Sequence, residues 1–264
     1  MKKIIYVMSL SHSGSTLVDL TLSRHPRVTG LGEIEGVLRK RQRTQEGTEL
    51  DCSCGTTMNS CPVWTQLEAS LNLARPTRTL EKYRALANLP ALAESEALVD
   101  SSKSLRHLER LCNLERSGDI KLFTIFLVRD ARGWAKSVSR RHRKRAKRRR
   151  SNLYYLLRWY RHNRRIERFL TRRQIRFLPV GYEAFCFDTE TTVARILDFA
   201  GIAPAEVDFD RPPNSHIAYG NRMKLNPQKR RSIIYDGAWL TDHWLNLVFL
   251  LIPRVFRWNK RHVY

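Results

Sequence analysis

The stretch from Ile4 to Leu17 holds the first residues able to do chemistry. An apolar run, Ile4-Ile5-Tyr6-Val7-Met8, passes through Ser9, Leu10, Ser11, His12, Ser13 and Gly14 into a helix predicted to begin at Ser15-Thr16. That arrangement aims several backbone N–H groups and two hydroxyls into one small volume at a positive helix terminus. Such a volume seats a phosphate or sulfate group. A loop of this kind taken alone also reads as a Ser/Gly-rich turn with no ligand.

A second constellation follows about a hundred residues later. The run Lys121-Leu122-Phe123-Thr124-Ile125-Phe126-Leu127-Val128 is continuously apolar and rich in β-branched and aromatic residues, as a buried parallel strand is. It ends at Arg129, and Ser137 lies eight residues beyond on the next predicted helix. An arginine at a strand's carboxyl end and a hydroxyl two turns into the next helix can converge on one phosphate. Two separated anion sites point to a nucleotide with two separated anionic groups, and hence to a transfer enzyme. The first loop lacks the G-x-x-x-x-G-K-[ST] pattern: Ser9 stands for the first glycine, and Ser13 and Ser15 flank Gly14. Without that lysine, ATP hydrolysis is disfavoured.

These residues need a frame. Strands are predicted at 3–10, 97–100, 121–129 and 176–182, separated by helices at 15–24, 104–117, 131–147 and 189–200. This alternation predicts an α/β fold, a single domain over 1–264 with a central parallel sheet flanked by helices. In such sheets ligands bind outside the carboxyl ends of the strands, where both loops lie. The segment at about 39–90 is less regular and is expected to form an insertion or cap on the acceptor side.

The ordered motifs resemble those of the sulfotransferases that use 3′-phosphoadenosine-5′-phosphosulfate (PAPS). Ser11 to Leu17 is similar to that family's 5′-phosphosulfate loop, and Arg129 with Ser137 to its 3′-phosphate motif. Further likeness comes from its tyrosylprotein and bacterial branches. Leu22-Ser23-Arg24-His25-Pro26 resembles the L-x-x-H-P that closes the first helix, and Gly32-Glu33 falls where those branches carry a catalytic glutamate. Val99-Asp100-Ser101-Ser102-Lys103 resembles a strand end that delivers an active-site lysine. Tyr182-Glu183 is similar to a later Y-E, and His216 to Lys224 to H-x-x-x-G-N-x-x-R. The resemblance runs from residue 4 to about residue 240.

The resemblance implies roles. Glu33, with Glu35 as its competitor, is the expected base for an acceptor hydroxyl. Lys103 and His12 are expected against the transferring sulfuryl group. Ser11, His12, Ser13, Gly14, Ser15 and Thr16 form the 5′ cradle. Arg129, Ser137 and Arg141 hold the 3′-phosphate, with Tyr182, Asn221 and Lys224 near the nucleotide. PAPS is the expected donor and adenosine 3′,5′-bisphosphate (PAP) the product; no metal is required. One departure stands out: His12 occupies a position where the family has arginine or lysine. It either donates, protonated or as one neutral N–H, or is a spacer that leaves the charge to Lys103.

Charge is the oddity. The formal net charge is +23, and residues 140–150 contain nine Lys or Arg in eleven positions. Such an excess favours phosphates, anionic lipid, nucleic acid or an acidic polysaccharide, and a run of this kind also reads as a solvated basic face. A basic nucleic-acid- or membrane-binding protein with a vestigial nucleotide site is one alternative; a kinase-like phosphotransferase is another. No nucleic-acid-recognition signature is present, so no specific nucleic acid is expected as partner. Cys52, Cys54 and Cys61 form C-x-C-G-x₆-C-P-x-W, for which structural thiols, a Cys54–Cys61 disulfide and a metal are all open. Zinc would need a fourth ligand, and none is close in sequence.

No signal-peptide pattern follows Met1, which sets the expectation of a cytoplasmic protein. At 243–253 runs an uncharged, largely apolar stretch of eleven residues that includes Trp244, too short to span a bilayer and flanked by Trp239, Arg254, Arg257 and Trp258. It reads either as a basic aromatic helix lying at the inner membrane surface or as a helix docked on the core. The acceptor is a hydroxyl compound whose identity the sequence leaves open. Carbohydrate, glycolipid and small metabolite are favoured.

Overall fold

Five parallel strands in the order β2-β3-β1-β4-β5 build the centre of the molecule. The computed structural model describes residues 1–36, 50–71, 79–144, 150–226 and 232–264. Part of the 39–90 segment and residues 145–149 of the basic run therefore lie outside the described residues. The strands are β1 (Lys3–Ser9), β2 (Val28–Gly30), β3 (Ala97–Asp100), β4 (Lys121–Val128) and β5 (Phe177–Gly181). β1 is central. It pairs in register with β3 from Lys3↔Ala97 and with β4 from Lys3↔Lys121. Ile4 through Ser9 are buried, because helices cover both faces of the sheet.

Helix α1 (Ser15–Leu22) follows β1, and every residue in it is buried. α2 (Pro62–Ser70) and α3 (Thr79–Ala87) lie in the segment expected to be an insertion. α4 (Leu105–Arg116) follows β3, and its N-cap Ser104 accepts a hydrogen bond from the His107 amide. α5 (Ala131–Lys144) and α6 (Asn152–Arg172) follow β4. α7 (Tyr182–Phe187) and α8 (Thr189–Phe199) follow β5. α9 (His243–Leu250) and α10 (Pro253–Val263) end the chain.

Two apolar layers sandwich the sheet. On one face Leu17, Val18, Leu22, Tyr182, Phe185, Val193 and Ile196 pack against Ile5, Val7, Ile125 and Leu127. On the other, Trp64, Leu108, Trp134, Trp159, Phe249 and Trp258 pack against Ile4, Tyr6, Met8 and Phe126. Trp159 and Trp258 meet edge to face at 5.1 Å, and the Trp159 indole N–H donates to the Arg129 carbonyl at 3.0 Å. The tail therefore docks on the core through Leu245, Phe249, Val255 and Trp258, while Trp244, Leu250 and Leu251 stay exposed. Among the described residues no helix is long and apolar enough to cross a membrane.

The alternation read from sequence is the architecture observed, and helices α2, α3 and α7 add to it where no helix was expected. β2 was not anticipated, since three residues carry no readable period. The 21-residue α6 was not anticipated either.

Candidate active site

At the carboxyl end of β1 the chain turns sharply, and His12 takes φ 74° and Gly14 φ 93°. A Cβ on Gly14 would stand 2.3 Å from the Tyr182 ring, so the glycine lets that ring close directly on the loop. The loop is pinned from outside. Trp134 donates its indole N–H to the Ser11 carbonyl at 2.8 Å, and Arg129 donates to the His12 carbonyl at 3.2 Å. Ser13, Ser15 and Thr16 are buried at the start of α1, beside Gly14.

His12 faces α5. Its Nδ1 lies 3.1 Å from the Ser137 hydroxyl, and Nε2 lies 3.2 Å from an Arg141 guanidinium nitrogen. A guanidinium can only donate, so Nε2 accepts and Nδ1 carries the proton. Burial, reinforced by Arg141 and Arg129, lowers His12 to about 4. The ring is therefore neutral at pH 7. It donates to Ser137 and leaves the serine's own proton for an outside acceptor.

Arg129 is buried at the end of β4, with its guanidinium 4.8 Å over the Tyr182 ring. It also reaches the Asp236 carboxylate at 3.4 Å, and Arg140 holds the same carboxylate. The Arg129 Nε has no hydrogen-bond partner and faces the first turn of α5, where a Cβ on Gly133 would come within 3.1 Å of it. Below it, the Asp130 carboxylate is held by Arg132, Asn259 and Tyr264, and the Asp130 amide donates to both oxygens of buried Glu183 at 3.1 Å.

Burial, with Asp130 beside it, raises Glu183 from 4.5 to about 7. The native state thus keeps a proton that the unfolded chain loses between those values. The associated stability is full below about pH 4.5 and is lost as pH rises through about 7. Glu183→Gln stays neutral and removes this loss. Between pH 4 and pH 8 the wild type is expected to lose up to about 3 kcal/mol relative to the variant, read by urea denaturation. Parallel pH curves for the two proteins would rule the assignment out.

Across β1, Lys103 follows β3 and takes φ 59°, a left-handed conformation that costs a side-chain-bearing residue energy. Its ammonium donates to the Glu33 carboxylate at 2.6 Å and to the Ser101 carbonyl at 2.9 Å. Two buried carboxylates that sequence reasoning missed hold this pair in place. Asp19 on α1 accepts from the Gly32 amide at 3.0 Å and from the Ser101 hydroxyl at 3.3 Å. Complete burial raises its pKa well above the usual carboxylate range. Asp100 accepts from the Ser102 amide at 2.9 Å, from Tyr83 and from His107, and Ser102 in turn accepts from the Glu35 amide.

Glu33, Lys103, His12, Ser137, Arg129, Arg141 and Tyr182 therefore gather at the carboxyl ends of β1, β3 and β4 and the start of α7. Asn221 and Lys224 are placed differently. Asn221 is exposed and caps a short 3₁₀ turn through the Met223 amide. Lys224 is buried, and its ammonium donates to the carbonyls of Asp51, Ile217 and Ala218 at 2.6, 2.9 and 2.6 Å. All five cysteines are free, and the closest hydrogen-bonded sulfur pair is Cys52–Cys61 at 3.7 Å, a different pair from the disulfide weighed from sequence.

Beside His12 and Lys103 opens a cleft of about 640 Å³ between β1, α4, α5 and α6. Arg106, Arg141, Arg158 and Arg165 line it, and no Asp or Glu stands among its described lining residues.

A central five-stranded parallel sheet, with the Ser11–Gly14 loop and Arg129 at its carboxyl end, places the chain in the α/β class. The chain matches the sulfotransferase family over residues 5–206, and it belongs to that family. The sulfotransferase domain from the curacin biosynthetic pathway is similar to it in structure, with TM-score 0.55, 17% identity, and coverage of 100% of this chain and 98% of that one. The sulfotransferase domain of the Synechococcus PCC 7002 olefin synthase gives TM-score 0.55 and 21% identity over 95% of this chain and 96% of that one. At these identities the likeness is one of fold. No curated protein matches the chain.

Proposed function

We propose that this protein moves a sulfuryl group from PAPS to a hydroxyl on an anionic acceptor, with 1–264 acting as one domain. The convergence of Arg129, the Ser137–His12–Arg141 chain and the Lys103–Glu33 pair around one strand-end loop carries the reading. The residues fit the donor's two anionic ends. Gly14 lets the Tyr182 ring pack directly against the loop, and Ser137 and Arg141 extend donors beside His12.

Glu33 takes the acceptor's hydroxyl proton as the acceptor oxygen bonds to sulfur and the bond from sulfur to the phosphate oxygen breaks. For this, Lys103 shifts from Glu33 to the sulfuryl oxygens as the substrates bind, which frees the carboxylate to act as base and balances the charge leaving with PAP. His12 contributes as a neutral imidazole that orders Ser137. It does not take over the cationic role that arginine or lysine has elsewhere in the family.

The lining of the cleft favours the acceptor's class. Four arginines, with no carboxylate among the described lining residues, suit a substrate carrying a carboxylate, sulfate or phosphate next to its reactive hydroxyl. Transfer of labelled sulfate from PAPS, without magnesium, to matched neutral and carboxylated hydroxyl compounds tests this. Preference for the anionic partner by at least tenfold is expected. Equal rates would sink the acceptor class, whereas phosphoryl transfer from magnesium-ATP in place of sulfuryl transfer would sink the whole reading.

A further inference from the structure

Away from the cleft, the turn 51–61 brings three thiols together with a histidine remote in sequence. Cys52 and Cys61 are buried, and their sulfurs are 3.7 Å apart. His216 Nδ1 lies 3.2 Å from the Cys61 sulfur, and the four ligand atoms of Cys52, Cys54, Cys61 and His216 all fall within 4.8 Å of one another. The fourth ligand missing from the sequence is thus supplied 155 residues away from Cys61.

We infer that Cys52, Cys54, Cys61 and His216 bind one zinc ion as a structural Cys₃His site. A tetrahedral ion with bonds of about 2.3 Å to sulfur and about 2.0 Å to nitrogen sets sulfur–sulfur edges near ~3.8 Å and sulfur–nitrogen edges near ~3.5 Å. The Cys52–Cys61 separation of 3.7 Å and the Cys61–His216 separation of 3.2 Å lie close to those edges, and the whole set, held within 4.8 Å, needs only a small contraction to meet them. A disulfide needs sulfurs at about 2.0 Å and engages two of the four groups.

The surroundings suit thiolates. The Cys54 amide points at the Cys52 sulfur and the Trp64 amide at the Cys61 sulfur. Cys61 sits at the N-cap of α2, where the helix dipole favours negative charge. Three thiolates, one neutral imidazole and Zn²⁺ sum to a single negative charge. The buried Lys224 ammonium, which donates to the Ile217 carbonyl next to His216, provides a positive charge to balance it. This gives Lys224 a task outside the nucleotide site.

Outer contacts fix the ligands as well. Gly55, at φ 96°, closes the Cys52–Cys54 turn. Ser53 donates to the Ser215 carbonyl at 2.9 Å and accepts from the Ile217 amide at 2.8 Å, and Trp64 donates to the His216 carbonyl at 2.9 Å. The clamped segment also supports the active site. His216 donates its amide to the Gly30 carbonyl at 2.7 Å, and the Glu33 amide donates to the Tyr219 carbonyl at 3.2 Å. A metal here would tie the 51–61 turn to the strand of chain behind Glu33.

The test uses the full chain, purified under reducing conditions and supplied with zinc. Elemental analysis is expected to give one zinc per chain. Replacement by cobalt(II) should give an intense sulfur-to-cobalt charge-transfer band in the near ultraviolet and visible bands typical of a tetrahedral ion. His216→Ala is expected to weaken zinc retention against a chelator by at least about tenfold. Cys112→Ser, outside the cluster, leaves retention unchanged and controls for folding. Wild-type protein that holds no zinc, binds iron in its place, or has a mass two protons lighter from a disulfide would overturn the assignment. None of these results depends on sulfuryl transfer.

Discussion

Glu33→Gln is expected to lower kcat by about 10²- to 10⁴-fold while PAP affinity stays within about threefold of wild type. Glutamine preserves the size of the side chain and can still accept from Lys103, so the loop held by Asp19 and the Tyr219 carbonyl need not move. What it loses is the ability to take a proton. A base acts on the reaction without contributing to the binding of a product that lacks the acceptor. The signature is therefore a fall in kcat with little change in the calorimetric affinity for PAP. A variant retaining more than a tenth of wild-type kcat would remove Glu33 from this role. Attention would then pass to Glu35, two residues on, whose amide donates to the Ser102 hydroxyl.

Arg129→Ala is expected to act on the other half of the problem. Losing a buried guanidinium that faces a phosphate weakens binding by about 2–4 kcal/mol, roughly thirty- to a thousandfold in the Kd for PAP. The position makes the upper part of that range the expectation. Arg129 and Arg140 share the Asp236 carboxylate, and removing Arg129 leaves that carboxylate less neutralised beside the incoming anion. Calorimetric titration with PAP in the absence of magnesium reads the effect directly. Unchanged affinity in a folded variant would mean that the 3′-phosphate lies elsewhere, with the Ser137–His12–Arg141 chain serving another purpose.

The sheet was legible because three of its strands are uninterrupted runs of apolar residues, as burial on both faces requires. β2 lacked that signal, being three residues held in place by pairing with β3 and a bridge to Ser215. Helix α6 was overlooked although its buried residues, Tyr155, Leu156, Trp159, Asn163, Ile166 and Leu170, follow helical spacing. The arginines between them drew notice to charge and away from period.

At the site, residues at strand ends could be read because a strand's carboxyl end has a known destination. Asp19 could not, since its partners are an amide and a hydroxyl from separate segments. For Asp100 and Asp130 only the local partners, Ser102 and Arg132, were within reach of sequence, not Tyr83, Asn259 or Tyr264. His216 was legible as part of a motif, but its proximity to Cys61 is a product of the fold alone. Lys224 shows the opposite limit. Its motif suggested a ligand contact, whereas the chain turns its ammonium inward onto three carbonyls.

The central place of β1 also governs the order in which the molecule can be assembled. Its neighbours begin at Ala97 and Lys121, so a ribosome must make about a hundred further residues before either edge can be matched. At roughly 5–20 residues per second, that leaves the first apolar strand without a partner for several seconds or more. Local helices can form at once, but the sheet must wait for contacts distant along the chain, which slows folding. The arrangement that puts the loop after β1 at the middle of the sheet also makes the earliest strand synthesised among the later ones to be secured.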